Sequence, residues 1–131
     1  RPLRTRIRIK RIYRAGRVSD GKRILVDRLW PRGVAKERAR LFSWCKEIAP
    51  SDALRRWFHT NPGAWEEFAT RYRAELAMQN DVVAKLAGYA REGVVTLLYA
   101  AKDEDHNNAI VLQDYLRRWL EREAEDDRST T

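Results

Sequence analysis

The sequence predicts a single compact α/β domain, with a small, mostly parallel sheet of about three strands flanked by four or five helices. Two observations support this prediction. Residues 94–99 are mostly apolar, which is typical of a strand buried on both faces, and an amphipathic helical pattern follows over 109–120. A length of 131 residues suits one domain, predicted over 1–122, with 123–131 as an acidic, frayed tail.

The first half of the chain supplies two further predicted strands. Apolar and basic residues alternate over 6–13, which indicates a half-exposed edge strand whose charges discourage pairing between sheets. Residues 24–26 form a short buried run that ends before Pro31. The Ser-Asp-Gly turn signal at 19–21 leaves two arrangements open, a hairpin or two parallel strands joined by a short irregular crossover.

Four helices are predicted between the second and the last strand, because apolar residues recur there at helical spacing. Residues that favour helix ends mark their boundaries. The predicted helices are 36–48, which ends before Pro50; 52–58, with Ser51 as N-cap; a third that begins at Asn61 and Pro62; and a fourth that Asn80 or Asp81 caps and Gly93 ends.

Cysteine usage and the absence of common motifs narrow the class of protein. The single cysteine, Cys45, rules out an internal disulfide and favours the reducing cytoplasm, and its apolar surroundings indicate a buried small hydrophobe. No apolar run reaches the roughly 18 residues of a membrane helix, so no membrane partner is expected. The chain lacks a Walker loop and a His-Glu-x-x-His motif, and no cofactor is expected. Magnesium or manganese is indicated only weakly, by Asp27, Asp103, Asp105 and His106, and no metal is assigned.

Positive charge is concentrated in the first half of the chain. Residues 1–60 carry 18 Lys and Arg against 5 Asp and Glu, whereas 61–131 carry 9 against 14. Two interpretations are open: this basic protein uses its charge to stay in solution, or a positive face attracts a polyanion or an anionic substrate. A nucleic-acid-binding face of this kind would align Arg4, Arg6, Arg8, Arg11, Arg14 and Arg17.

Polar residues follow two of the predicted strands at their carboxyl ends. Arg28 and Arg32 follow the second strand, and a polar run over 102–107 follows the last. If these strands are parallel neighbours, both clusters meet at one edge of the sheet, beside the free N–H groups of the last helix. Such groups suit a phosphate or carboxylate. The alternative is a network of Arg–Asp ion pairs, with Asp103 or Asp105 as the N-cap of the last helix.

Two histidines are present, and histidine is the side chain that exchanges a proton most readily near neutral pH. His106 lies at a strand-to-helix turn among carboxylates and is the better candidate for a general base, with Asp103 as its partner. His59 follows Trp57 and Phe58, which are predicted to anchor the core. A surface or capping role is the alternative for either histidine.

Two phrases of the sequence resemble a known family. One is Val-Asp-Arg-Leu-Trp-Pro-Arg-Gly over 26–33, and the other is Leu-Leu-Tyr-Ala-Ala-Lys-Asp over 97–103 with His106 and Asn107. Over about 7–120 the chain is similar to the YeaO-like proteins of the family called domain of unknown function 488. The resemblance implies a bacterial-type α/β domain and says little about activity. Longer members carry a Cys-His-Arg triplet after the last strand, which this chain lacks, so cysteine-based chemistry is not carried over.

The residues and the resemblance together leave three functions open. The first is a strand-end pocket that binds a phosphate- or carboxylate-bearing ligand, with or without acid–base catalysis. The second is a basic module that binds nucleic acid without chemistry, and the third is a protein-interaction domain. The candidate residues are Arg28, Arg32, Lys36, Arg55 and Lys102 for the anion, His106 and Asp103 for acid–base chemistry, and Asp27, His59 and Asn107 elsewhere in the pocket.

Overall fold

The computed structural model describes residues 6–129 as one α/β domain with a four-stranded, all-parallel sheet. The predicted fold class is confirmed, with one more strand than the three expected. The strands are β1 (Ile7–Arg11), β2 (Lys22–Leu25), β3 (Ser43–Trp44) and β4 (Val95–Tyr99), in the order β1-β4-β2-β3.

The last strand lies inside the sheet, as its apolar sequence predicts. All five residues of β4 are buried, and β4 pairs with β1 on one side and β2 on the other. Leu97 lies opposite Ile9 in β1 and opposite Ile24 in β2. The first two strands are therefore parallel and separated by β4, and the hairpin alternative is excluded.

Five α-helices accompany the sheet. They are α1 (Lys36–Ala39), α2 (Asp52–Thr60), α3 (Trp65–Leu76), α4 (Asn80–Glu92) and α5 (Asn108–Ser129), with short 3₁₀ helices at Val18–Asp20 and Lys46–Ile48. Ser51 caps α2 as predicted, because its hydroxyl accepts a hydrogen bond from the N–H of Leu54 at 3.2 Å. Gly93 follows α4, also as predicted. α5 continues to Ser129, so the described part of the predicted tail is helical.

The predicted helix over 36–48 is wrong. Arg40 takes a left-handed backbone conformation (φ 49°, ψ 50°) that ends the helix after one turn. The N–H of Phe42 then donates to the carbonyl of Arg23 at 2.7 Å, and Ser43–Trp44 pairs with β2. Pairing with an available sheet edge satisfies backbone groups that a longer helix would satisfy internally.

The apolar residues of that segment contact two different parts of the core. Trp44 packs with a small cluster that contains Leu25 and Leu98. Cys45 and Ile48 belong to the large cluster between the sheet and the helices. Residues that would share one face of a helix are thus divided between the two core clusters. The spacing of apolar residues along the sequence is the same in both cases, so it cannot distinguish this arrangement from one helix face.

Two helix starts also differ from the predictions. α3 begins at Trp65 and not at Asn61, because Asn61 closes α2 by donating its side-chain amide to the carbonyl of Trp57 at 2.9 Å. α4 begins at Asn80 with Gln79 at the N-cap position, where no side chain caps the helix. None of the helices described over 6–129 is long and apolar enough to cross a lipid bilayer.

Candidate ligand-binding cleft

A cleft of about 420 Å³ opens where β2 and β4 end. Its lining includes the segment after β2 from Asp27 to Arg32 and, after β4, Ala100, Ala101 and the polar residues from His106. Both segments reach the same place because β2 and β4 are parallel neighbours in the sheet. The cleft therefore lies at the carboxyl edge of the strands, where the sequence predicts a site.

Asp27 lies in the lining of the cleft and holds the ends of two strands together. Its carboxylate accepts a hydrogen bond from the N–H of Ala100 at 2.9 Å, and its backbone carbonyl accepts one from Trp44 Nε1 at 2.7 Å. Burial raises the pKa of Asp27, and hydrogen bonds from Ala100 and Asn108 offset part of that rise. Asn108 also donates to the carbonyl of Val26 at 2.9 Å, so the first residue of α5 is tied to the end of β2.

Three arginines line the cleft. Arg28 Nε lies 3.3 Å from the carbonyl oxygen of Pro50 and 3.9 Å from a carboxylate oxygen of Asp52. Arg55 Nη2 lies 3.5 Å from the same carboxylate oxygen. The guanidinium of Arg32 makes no ion pair or hydrogen bond with another described residue. These contacts are long, and the side chains of Arg28 and Arg55 are 34% and 44% exposed, so the guanidinium groups remain able to bind an external anion.

The loop after β4 is shaped by Asp103. One carboxylate oxygen accepts hydrogen bonds from the N–H groups of Asp105 and His106 at 2.9 and 3.1 Å, and the other lies 3.0 Å from His106 Nδ1. The N–H of Asp105 and the His106 side chain lower the pKa of Asp103. The histidine ring packs edge-on against Trp65, with ring centroids 5.1 Å apart. Asp103 therefore fixes His106 through Nδ1 and leaves Nε2 for another partner.

The predicted N-cap of the last helix is wrong. Neither Asp103 nor Asp105 caps α5, because the carboxylate of Asp103 is used inside the preceding loop. Asn107, only 2% exposed, accepts a hydrogen bond from the N–H of Ile110 at 3.1 Å and donates to the carbonyl of Asp103 at 3.0 Å. Asn107 is thus a structural cap that faces the cleft from the start of α5.

Aromatic side chains form much of the remaining lining. Phe58 and Phe68 stack with ring centroids 4.3 Å apart, and Trp30 donates its indole N–H to the carbonyl of Val34 at 2.8 Å. Tyr13, after β1, is 47% exposed. These rings give the cleft apolar surface beside its cations.

The structure brings most of the candidate residues together. Asp103 does not line the cleft and contacts it through His106, whereas Lys36 and Lys102 are exposed and do not line it. Within residues 6–129, no group of three or more His, Cys, Asp and Glu side chains is arranged to hold a metal ion. The candidates that line the cleft are Asp27, Arg28, Arg32, Arg55, His59, His106 and Asn107.

Sequence reasoning missed several residues of the lining. Tyr13, Trp30 and Phe68 were not candidates, and Phe58 was assigned to the core alone. Aromatic spacing cannot distinguish a ring in the core from one at its edge. Asn108 was also missed, although it directly follows the polar run that ends at Asn107, and this position was the available signal.

The arginines predicted to form a nucleic-acid-binding face differ in their contacts. Arg6 and Arg11 each donate to a backbone carbonyl, and Arg14 pairs with Glu104 at 2.9 Å. Arg4 lies outside the described residues. The side chains at 8 and 17 are exposed.

Comparison with known proteins identifies the family. Residues 6–131 match the family model described as the inactive DUF488-N3 subclade. The chain belongs to this family. The resemblance to YeaO-like proteins of the domain of unknown function 488 is thereby confirmed.

Relatives from two bacterial groups cover most of the chain. The uncharacterised protein YeaO of Escherichia coli K12 is 47% identical over 111 residues, which is 85% of this chain and 96% of that protein. The uncharacterised protein Rv3073c of Mycobacterium tuberculosis H37Rv is 40% identical over 112 residues, or 86% of this chain and 94% of that protein. No solved structure matches the chain.

Proposed function

We propose that this domain binds a small anionic ligand with a planar, apolar part in the cleft at the carboxyl edge of its sheet. The convergence of Arg28, Arg32 and Arg55 on this one cleft is the observation that carries the proposal. Guanidinium groups bind phosphate and carboxylate through paired N–H donors, which gives both affinity and orientation.

The charge of the lining favours an anion. Asp27 is the only carboxyl group among the described lining residues, and burial raises its pKa, which favours the neutral form. Asp52 stands outside the lining and interacts with Arg28 and Arg55 only at 3.9 and 3.5 Å. Exposed pairs of this length contribute about 0–1 kcal/mol, so an anion with better geometry can displace them.

The apolar part of the ligand is inferred from the aromatic lining. Trp30 and Phe58 present ring surface in the same cleft as the arginines, and the buried ring of Phe68 stacks on Phe58. A planar ring buried against such surface gains the hydrophobic contribution and favourable ring contacts that a bare phosphate cannot. Asp27 adds a hydrogen-bonding group that accepts when ionised and donates when neutral.

A binding role agrees better with the chemistry of the lining than covalent catalysis does. No serine, threonine or cysteine lines the cleft among the described residues. The sole cysteine, Cys45, is buried, and burial raises the pKa of its thiol. The description of the family as inactive points the same way.

Acid–base catalysis is the second candidate function, and the His106–Asp103 contact is the observation that favours it. A carboxylate 3.0 Å from Nδ1 holds a histidine in the orientation that a general base requires. The two functions differ in one respect: a catalytic cleft turns over a bound ligand, whereas a binding cleft returns it unchanged.

Thermal unfolding and calorimetry with a panel of anions test the binding proposal. The panel contains inorganic phosphate, phenyl phosphate, benzoate and the common nucleoside monophosphates. A ligand specific to the folded state raises stability by about 2.7 kcal/mol at a hundredfold excess over its dissociation constant. We expect aromatic phosphates to stabilise more than inorganic phosphate, and analysis of the recovered ligand by mass spectrometry to show no turnover.

Matched variants show whether the cleft is responsible. Arg28→Ala with Arg55→Ala is expected to abolish the stabilisation. Arg73→Ala removes an exposed arginine of α3 that does not line the cleft, and it should respond like the wild type. The proposal is wrong if no anion stabilises the protein, or if the double variant responds as the wild type does.

A further inference from the structure

A second cavity of about 400 Å³ lies beside the cleft, and Tyr13 lines both. Three arginines line it, at positions 14, 38 and 40, together with one carboxylate, Glu37. Arg14 pairs with Glu104 at an exposed site, with 2.9 Å between the charged groups. The second cavity is therefore also positively charged.

Tyr13 forms a fixed ridge between the two cavities. Its hydroxyl donates to the carbonyl oxygen of Arg32 at 3.0 Å, and the guanidinium of Arg11 lies 4.9 Å from the centre of its ring. The ridge is thereby attached to Arg32, a residue of the cleft lining. An extended ligand leaving the cleft at Arg32 would pass Tyr13 to reach the second cavity.

The backbone of the second cavity is strained at an arginine. Arg40 is the only non-glycine residue with positive φ among residues 6–129. This conformation disfavours a side chain with a Cβ atom, so glycine at this position would be more stable. Neither Arg40 nor Arg38 makes a side-chain ion pair or hydrogen bond with another described residue. A strained arginine with no internal partner points to a role outside folding.

We infer that the two cavities together bind single-stranded nucleic acid, with a terminal nucleotide in the cleft and the neighbouring phosphates crossing Tyr13 toward Arg38 and Arg40. This inference rests on the proposed function, since it names the ligand class of the same cleft. A single strand carries planar bases beside a row of phosphates. The cleft combines arginines with aromatic rings, and the second cavity adds the arginines at 38 and 40 beyond Tyr13. An acidic peptide lacks the planar rings, and a duplex keeps its bases stacked and out of reach.

Binding of a nucleoside monophosphate, of single-stranded DNA and RNA tetranucleotides and of a short DNA duplex tests the inference by calorimetry. We expect the tetranucleotide to bind more tightly than the mononucleotide. In Arg38→Ala with Arg40→Ala, the tetranucleotide should bind about tenfold more weakly, as expected for losing charge-assisted contacts, and the mononucleotide should bind unchanged. The slope of log affinity against log salt should fall by about 1.4, the value for two lost contacts with single-stranded phosphates.

Two further variants separate the loss of phosphate contacts from a general loss of positive charge and from changes in stability. Arg8→Ala with Arg73→Ala removes the same charge from exposed residues that line neither cavity, and tetranucleotide affinity should be retained. Arg40→Gly removes one guanidinium and relieves the backbone strain. Its unfolding midpoint should therefore rise while its tetranucleotide affinity falls.

The outcomes distinguish this inference from the proposed function. If the mononucleotide binds and the tetranucleotide gains nothing, the inference is overturned and the anion cleft stands. The same holds if duplex DNA binds as tightly as the single strand. If neither the mononucleotide nor any tetranucleotide binds, the inference is overturned. The proposed function is then decided by the wider panel of anions alone.

Discussion

The carboxylate of Asp27, just after β2, accepts a hydrogen bond from the N–H of Ala100, just after β4, at 2.9 Å. This bond joins the ends of the two strands that form the cleft. Because burial raises the pKa of Asp27, the folded protein holds a proton more tightly there than the unfolded chain does. Stability contributed by this site therefore falls as pH rises from the ordinary value of 3.8 through the raised pKa.

Asp27→Asn tests that relationship. The amide oxygen can still accept from Ala100, and the charge is removed, so we expect the free energy of unfolding at neutral pH to equal or exceed the wild-type value. The loss of stability attributed to Asp27 as pH rises from 3.8 through its raised folded pKa should disappear. Urea denaturation across this range measures both effects, with Asp105→Asn, an exposed carboxylate nearby, as the control. A variant more than about 1 kcal/mol less stable at neutral pH contradicts the assignment.

Asp103 is expected to act on ligand binding through His106. Asp103→Ala removes the acceptor 3.0 Å from His106 Nδ1, so a nucleoside monophosphate should bind about tenfold more weakly. His106→Ala should weaken binding by a similar factor, and the double variant should bind no more weakly than His106→Ala alone. Calorimetry measures the four affinities, and Glu104→Ala in the same loop serves as the control. Additive losses would show that the two residues act independently.

Asp20 is expected to be essential for stability. It is 3% exposed, receives Lys10 Nζ at 2.8 Å and Arg23 Nη1 at 2.6 Å, and accepts from the N–H of Arg17 at 3.0 Å. Asp20→Ala leaves a buried arginine uncompensated, and we expect a loss of about 3–5 kcal/mol in urea denaturation. Asp114→Ala breaks an exposed pair with Arg118 and should cost less than about 1 kcal/mol. Comparable losses of stability in the two variants would show that the buried contacts of Asp20 stabilise the fold no more than an exposed ion pair does.

The stability that Asp20 contributes is expected to fall at acidic pH. Burial acts to raise the pKa of Asp20, but hydrogen bonds from Lys10, Arg17 and Arg23 outweigh it and lower the pKa below the ordinary 3.8. The stabilisation is therefore complete above pH 3.8 and is lost as pH falls through the lower folded pKa. The stability difference between wild type and Asp20→Ala should narrow over that acidic range, and a constant difference would contradict the assignment.

Gly21, just before β2, should not tolerate a side chain. Its φ is +65°, and a Cβ atom there would lie 2.2 Å from the carbonyl oxygen of Val94. Gly21→Ala should cost more than about 2 kcal/mol in thermal or urea unfolding, because strain and overlap add. Gly33→Ala is the matched control, since its φ is +75° with nothing within 4 Å of the added atom, and it should cost about 1–2 kcal/mol. Equal losses of stability in the two variants would indicate that the backbone at Val94 moves away from the added Cβ atom.

The candidate site was predictable in outline because it depends on where strands end. Arg28 and His106 follow two strands whose apolar runs identify them, and parallel strands bring their carboxyl ends to one edge. Lys36 and Lys102 fit the same sequence pattern but do not line the cleft, because the sequence does not fix where α1 and the loop after β4 lie. The aromatic lining was missed because burial of a ring depends on neighbours distant in sequence.

Features that depend on residues a few positions apart follow directly from the sequence. The buried run of β4, the Ser51 cap of α2 and the glycine after α4 belong to this group, because hydrogen bonds and burial within one segment specify them. The strand order, with β4 between β1 and β2, and the pairing of Ser43–Trp44 with β2 depend instead on long-range contacts. These pairings join backbone groups from distant parts of the chain, so their energies depend on which edges the rest of the fold leaves open.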